Sequence, residues 1–539
     1  MIFVRLVNMV KILFKVKIVC FILCFAQFGE AKVKLSALIS DGMVLQREQN
    51  IRVWGTADPG ESITVNFLKK KYTTQADTDG NWLVTLPPTK AGGPYALTIN
   101  EIELKNILIG DVYLCSGQSN MELPINRVTD MFKAEVEAYS NPMIRHIKVP
   151  LNYNFHGPLS DINPANWKEL NPQDAMQFSA LGYFFAKAMY EKNKIPVGLI
   201  NSAVGGSPVE AWISEEGLKP FPKYLSERDL YQSDELVAAM RATEGLQGKR
   251  WNEVLYKNDA GLHEPVKWFA NNYNDSDWQT VDLFDTSWNN NGVSPINGSH
   301  WFRKDVEISG QQAGQPAVLR MGCIVDADSV YVNGTFVGTI AYQYPPRIYK
   351  IPEGLLKPGK NTVTVRLISY GGRPHFVPEK PYKLVFEQNE ISLEGQWKYR
   401  LGAAMPQGAG QTFFQYKPTG LYNAMIAPLK NCTFKGAIWY QGESSTERYN
   451  EYYDLLTAMI ADWRAKVASQ FPIVIVELAG FGRPDGWDTF RAIQKKVAED
   501  TPGAGFAPTK DLGEWNDIHP LNKKDAGIRV ALEMEKLIK

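Results

Sequence analysis

From Asn106 onward the chain alternates short apolar runs with longer amphipathic stretches. Ile107 to Leu114 is apolar or β-branched apart from Gly110 and Asp111, the profile of a central strand covered on both faces of a parallel sheet. Ala180 to Lys192 places Leu181, Phe184, Phe185, Ala188 and Met189 at helical spacing and leads into an apolar run from Val197. Phe434 to Tyr440 and Pro472 to Leu478 read as further buried strands, separated by an amphipathic stretch from Tyr449 to Val467. Leu521 to Leu532 has helical character. Strand and helix in alternation predict a right-handed α/β sheet with helices on both faces.

Two other stretches lack the helical period. Lys32 to about Ile107 reads as short strands between the turn signals Asp41–Gly42, Asp58–Pro59–Gly60, Asp79–Gly80 and Gly92–Gly93–Pro94, which predicts a small β-sandwich. Pro220 to Gly248 is a polar, helical connection. From Trp251 to Trp397 the pattern is all-β, with the hairpin signal Asn333–Gly334 between Val330–Val332 and Phe336–Val337. The expected organisation is a leader at 1–31, a β-sandwich at 32–106, an α/β domain at 107–248 and 398–539, and a β insertion at 249–397.

Composition narrows the partners. In a chain of 539 residues, 44% hydrophobic and 22% charged residues describe a soluble globular protein, and the formal net charge of zero argues against nucleic acid or an anionic membrane surface as a partner. Arg5, Lys11, Lys15 and Lys17 precede an apolar run from Ile18 to Phe28 and a small residue at Ala31, the form of a secretory signal peptide. A secreted or periplasmic location follows from it, with no membrane anchor once the leader is removed. Cys115, Cys323 and Cys432 are scattered and odd in number, so no disulfide framework is expected, and Cys115 reads as a packed strand residue. No metal-binding motif or glycine-rich phosphate loop is present, so the reading needs no metal and no cofactor.

The candidate chemistry lies at strand ends. Ile107–Leu114 runs into Ser116, Gly117, Gln118, Ser119 and Asn120, a small-residue turn where open α/β sheets place their ligands. Ser119 is the candidate nucleophile, although Met121 stands where the α/β-hydrolase elbow has glycine. Of the six histidines only His519 has a carboxylate two residues away, Asp517, and a proline after it, the setting of a positioned base. Two further strand ends carry Gly205–Gly206 and Gln441, the donor types of an oxyanion hole. Trp212, close behind the glycine pair, is suited to stacking on a sugar or to the core.

The motifs GQSNM, GGSPVEAW, WYQGES and DIHP, in that order, resemble the SGNH-hydrolase superfamily, specifically its sialate O-acetylesterase-like carbohydrate esterases. The resemblance extends to VLQR, VWGTADPGESITV and DGNWLV near the amino terminus. It implies Ser119 as nucleophile, His519 as base, and Gly205, Gly206 and Gln441 as oxyanion-hole positions. The wider superfamily has aspartate three residues before its histidine, where this chain has Asn516; Asp517 is the nearer match, with Asp511 and Glu514 as other acids. The β insertion resembles jelly-roll, galactose-binding-like modules through WFRKDVEI and DSVYVNGTFVGT. Asn120, Glu443, Trp212 and Arg373 are the candidates for substrate contact. The activity implied is removal of O-acetyl groups from an acetylated oligosaccharide or polysaccharide, either sialic acid-bearing or hemicellulose such as xyloglucan or xylan. The alternative is a non-catalytic glycan-binding protein that keeps the fold.

Overall fold

The computed structural model describes residues 33–292, 294–467, 470–482 and 486–539. The expected signal peptide, Met1 to Ala31, lies outside the described residues, as do Arg483 and Asp485. The chain forms two units: one from the residues up to Asp229 with Phe414–Gly513 and His519–Lys539, the other from Leu230–Phe413 with Glu514–Ile518.

The first unit is organised around β1 (Ile102–Gly117), which is buried without interruption from Ile107. Its parallel neighbours are β2 (Asn141–Lys148), β3 (Val197–Ala203), β4 (Gly436–Tyr440), β5 (Ile473–Val476) and β6 (Ala504–Ala507), in the spatial order β2-β3-β1-β4-β5-β6. The chain therefore runs out to β2, returns to β3 beside β1, and then crosses to the other side of β1. The crevice at such a switch, over the carboxyl ends of β3, β1 and β4, is where α/β sheets hold ligands. The two irregular positions of β1 have local reasons. Asp111 accepts hydrogen bonds from Arg47 Nε at 2.8 Å and from Gln46 Nε2 at 3.3 Å, and a side chain at Gly110 would run into the Pro196 carbonyl.

Helices cover both faces. On one, α2 (Ala180–Asn193) and α4 (Lys523–Leu537) bury Phe184, Phe185, Ala526 and Val530 against Tyr113, Cys115, Ile438 and Tyr440. Gly527 permits the close crossing of these helices, since a Cβ there would meet Phe184 Cβ at 2.8 Å. On the other face α3 (Tyr449–Lys466) brings Trp463 edge-on to Trp439, with Trp212 also packed edge-on to Trp439. No helix among the described residues is long and apolar enough to cross a membrane.

The amino-terminal strands do not stop at a linker. Gly92–Ile99 pairs antiparallel with the first half of β1, so the expected boundary at residue 106 falls inside one continuous strand. Asn106 adopts φ +59° there and bends the strand without ending it. Its side-chain oxygen accepts from Arg145 Nη2 at 2.7 Å.

The second unit contains a six-stranded and a four-stranded antiparallel sheet. They share a core that includes Phe302, Val330, Val365 and Trp397 from one sheet and Leu319, Tyr349 and Leu384 from the other. The hairpin at Asn333–Gly334 forms between Ala327–Val332 and Thr335–Ile340, with φ of +48° and +80° at its two turn residues. The β pattern begins later than residue 249: Asp234–Asn258 is one helix, and Trp251 and Leu255 are buried four residues apart on it. A tryptophan-rich sequence does not separate the end of an amphipathic helix from the start of a strand.

Candidate active site

Ser119 is the first residue of α1 (Ser119–Glu122), a single turn that follows β1 directly. Gly117 makes the turn possible. Its φ is +134°, and a Cβ there would sit 2.1 Å from the Tyr440 carbonyl oxygen, so only glycine lets β1 and β4 approach this closely before the chain reverses. The turn is pinned from behind by Gln118 N–H, which donates to Tyr440 O at 3.0 Å, and by Ser179 Oγ, which donates to Met121 O at 2.7 Å.

His519 precedes α4 and is 9% exposed; its Nε2 lies 2.9 Å from Ser119 Oγ. Burial, followed by the positive charges of Lys523 and Arg127, pulls its pKa down to about 3, so the ring is neutral and its Nε2 is available to accept the serine proton. Ser119 is half-buried, and its own N–H has no partner among the described hydrogen bonds.

The other predicted positions divide. Gly205 and Gly206 lie beside Ser119: a Cβ at Gly205 would be 3.5 Å from Ser119 Cβ. The Gly205 N–H, however, donates to the Glu122 carboxylate at 2.7 Å and is not open to a ligand. The carbonyls of Gly205 and Gly206 accept from Tyr416 OH and Ser444 Oγ, each at 2.8 Å, and among the described hydrogen bonds the Gly206 N–H is the turn's uncommitted donor. Gln441 is a correction. It is fully buried, its Nε2 donates to Ser207 O at 3.2 Å and Ser445 Oγ at 3.1 Å, and its Oε1 accepts from Tyr452 OH at 2.8 Å. Its amide ties loops together and has no N–H left for an oxyanion.

Trp212 is likewise a correction: it has no exposed surface, its Nε1 donates to Ser207 Oγ at 2.9 Å, and it belongs to the core. Asn120 and Glu443 are not placed for substrate contact either. Asn120, 2% exposed, donates from Nδ2 to Glu443 Oε1 and accepts from Lys523 Nζ at 2.7 Å. Burial raises the pKa of Glu443, and the network braces the residue after the nucleophile. Arg373 is exposed on a loop of the second unit, where its carbonyl accepts from His375 Nδ1 at 2.7 Å.

The acids weighed as partners of the histidine all hold cations. Asp511 pairs with Arg529 through both oxygens, and in the second unit Asp517 and Glu514 accept from Lys380 Nζ at 3.1 and 2.8 Å. Cys115, four residues before Ser119, is wholly buried and its thiol is pushed up to about 12, which makes it inert. Among the described residues no group of three or more His, Cys, Asp or Glu side chains is placed to hold a metal ion. Glu122, Lys148 and Lys523 surround the site without having been singled out from sequence; the i,i+3 spacing of Ser119 and Glu122 was the one available signal.

A parallel α/β sheet that brings a serine and a neutral histidine into hydrogen-bond contact beside its switch point has the parts that nucleophilic acyl chemistry uses. Comparison with known proteins makes the class specific. The family model for carbohydrate esterases, sialic acid-specific acetylesterases, matches residues 109–251 and 403–534, just over half of the chain. The chain belongs to that family. It is 28% identical over 208 residues to sialate O-acetylesterase of Mus musculus, across 34% of this chain and 38% of that protein. With its Homo sapiens counterpart it shares 29% over 210 residues, 34% of this chain and 40% of the other. The chain thus matches less than half the length of either relative. Its fold is similar to that of a carbohydrate acetylesterase from Xanthomonas citri, with 24% identity, a TM-score of 0.54, and coverage of 93% of this chain and 74% of that one.

Proposed function

We propose that the protein is a secreted serine esterase that removes O-acetyl groups from glycans through an acetyl-serine intermediate. The observation that carries the proposal is the 2.9 Å contact between His519 Nε2 and Ser119 Oγ. The parallel sheet and its strand-end turns support an SGNH arrangement, and the two antiparallel sheets of the second unit support a jelly-roll module.

In the first half-reaction Ser119 Oγ bonds to the acetyl carbonyl carbon while its proton passes to His519 Nε2. The oxyanion is received by the N–H groups of Ser119 and Gly206. Collapse breaks the bond to the sugar oxygen, which leaves with the proton from His519. Water then attacks the acetyl-enzyme, again giving its proton to His519, and acetate departs as Ser119 regains its hydrogen. Asp517 is the proposed orienting acid for His519, the reading carried by the DIHP motif. Asp517→Asn should lower kcat by roughly 10²- to 10⁴-fold with KM little changed; an unchanged kcat would remove Asp517 from the mechanism.

The family description and the relatives' names favour acetylated sialic acid as substrate, and the alternative is acetylated hemicellulose such as xyloglucan or xylan. Acetate release by wild type and Ser119→Ala from O-acetylated sialic acid and from acetylated xyloglucan oligosaccharides decides both questions. Release that disappears in the variant supports the serine esterase and selects the substrate. No release from either, with an aryl acetate also untouched, overturns the esterase and leaves a glycan-binding protein.

A further inference from the structure

One carboxylate links the carboxyl ends of three neighbouring strands. Glu122 closes the turn that Ser119 opens at the end of β1. Its Oε2 accepts from the Gly205 N–H, just beyond β3, at 2.7 Å, and its Oε1 accepts from Lys148 Nζ, the last residue of β2, at 2.9 Å. The strand order β2-β3-β1 places these three ends side by side. Both contacts are charge-assisted, the stronger kind of hydrogen bond.

The peptide held this way lies against the nucleophile. A Cβ at Gly205 would fall 3.5 Å from Ser119 Cβ and 3.4 Å from Glu122 Oε2. The rest of the turn is fixed as well: Tyr416 OH holds the Gly205 carbonyl and Ser444 Oγ the Gly206 carbonyl. Among the described hydrogen bonds, every polar backbone group of the glycine pair is committed except the Gly206 N–H.

We infer that Glu122 is a positioning residue for acyl transfer: by taking the Gly205 N–H it fixes the glycine turn against Ser119 and leaves the Gly206 N–H as the donor for the substrate oxyanion. The inference rests on the esterase reading. Lys148 balances the charge of Glu122, so the carboxylate beside the reacting centre does not stand uncompensated against a developing oxyanion. The effect is on the transition state, because an oxyanion donor displaced by about 1 Å costs rate on the order of 10²-fold while ground-state binding of the sugar, elsewhere in the crevice, is untouched.

The test compares wild type, Ser119→Ala, Glu122→Ala, Glu122→Gln and Lys148→Met on an aryl acetate and on the better glycan substrate, with thermal unfolding of each. Glu122→Ala is expected to lose roughly 30- to 100-fold in kcat, the scale set by a displaced donor, with KM within about threefold of wild type. Glu122→Gln, which keeps an acceptor for the Gly205 N–H, recovers most of the loss, and Lys148→Met, which keeps the Gly205 bond, loses less than the alanine variant. If Glu122→Ala does not fold, the glutamine and Lys148 variants carry the comparison, and equal, large kcat losses in both would overturn the inference. A folded Glu122→Ala with full kcat, or a loss confined to KM, overturns it while the esterase stands. A wild type inactive on every acetate ester overturns the esterase reading and this inference with it.

Discussion

His519 Nε2 and Ser119 Oγ meet at 2.9 Å although 400 positions separate them in the sequence. The serine arrives on the carboxyl end of the central strand and the histidine just before α4, which packs on α2 and so fixes the base from the same face of the sheet. In the proposed mechanism each group depends on the other, since an unassisted serine hydroxyl is a poor nucleophile. Ser119→Ala and His519→Ala are each expected to lower kcat by roughly 10³- to 10⁶-fold, and the double variant to be no worse than the more damaged single one. Additive losses in steady-state kinetics would show that the two act separately.

The pH dependence follows from the buried imidazole. His519 is held at about 3 by burial, Lys523 and Arg127, far below its ordinary value, so it stays a neutral base throughout mild acid. The kcat/KM for an uncharged acetate ester should therefore be level from about pH 8 down to about pH 5, because its acid limb reports the base of the free enzyme. A half-point near about 6.5, the value of an exposed histidine, would contradict this.

Stability runs the other way in the same range. His146 at about 3 in the first unit and His300 at about 4 in the second are also kept neutral by burial. A histidine whose folded pKa is depressed takes up a proton on unfolding, so its contribution is complete above about pH 6.5 and falls with decreasing pH by about 1.4 kcal/mol per unit until the folded value is reached. Unfolding by urea should accordingly become easier between pH 7 and 5 while kcat/KM stays level. His146→Phe, stacked on Phe178 in place of the imidazole, should reduce that slope.

Lys523 acts on the base. It is 1% exposed, donates to Asn120 Oδ1, and is the first charge after burial that lowers the His519 pKa. Lys523→Met keeps most of the volume and removes the cation. The His519 pKa then rises, and the acid limb of kcat/KM moves to higher pH; a limb that stays in place would mean that burial alone sets the base.

Ser119 and His519 were legible because each stands in a local context that means something by itself: a small-residue turn after an apolar run, and a histidine between a carboxylate and a proline. The parallel sheet was legible for the same reason, since uninterrupted apolar runs read as doubly covered strands. Gln441 and Trp212 were not, because whether a polar or aromatic residue at a strand end faces a ligand or the core depends on what packs over it. Ser207, far away in sequence, joins the nearby Ser445 and Tyr452 in covering Gln441, and the distant Trp439 covers Trp212. The continuity of β1 through residue 106 was hidden by Glu103, Lys105 and Asn106, a polar cluster that resembles a turn but lies along an antiparallel ladder. Glu122 is not legible because its meaning comes from Gly205, just past β3, and Lys148, at the end of β2.

Gly206 gives the sharpest test of the turn itself. Its φ of +77° is one that only glycine adopts without strain, and an added Cβ would lie 2.1 Å from the Tyr416 hydroxyl oxygen. Gly206→Ala therefore meets two separate obstacles, the backbone conformation and the tyrosine. Strain of this kind costs on the order of 1–3 kcal/mol, and the turn can escape it only by shifting the N–H proposed to receive the oxyanion. The variant should lose more in kcat than its modest drop in melting temperature suggests. Adding Tyr416→Phe removes the nearest clashing atom, though the ring carbon Cζ stays 2.6 Å from the added Cβ, and it also removes the hydrogen bond that holds the Gly205 carbonyl, so it should restore a small part of the stability and little of the rate. Full recovery of kcat in the double variant would show that the clash mattered and the peptide orientation did not, and would move the oxyanion donor away from Gly206.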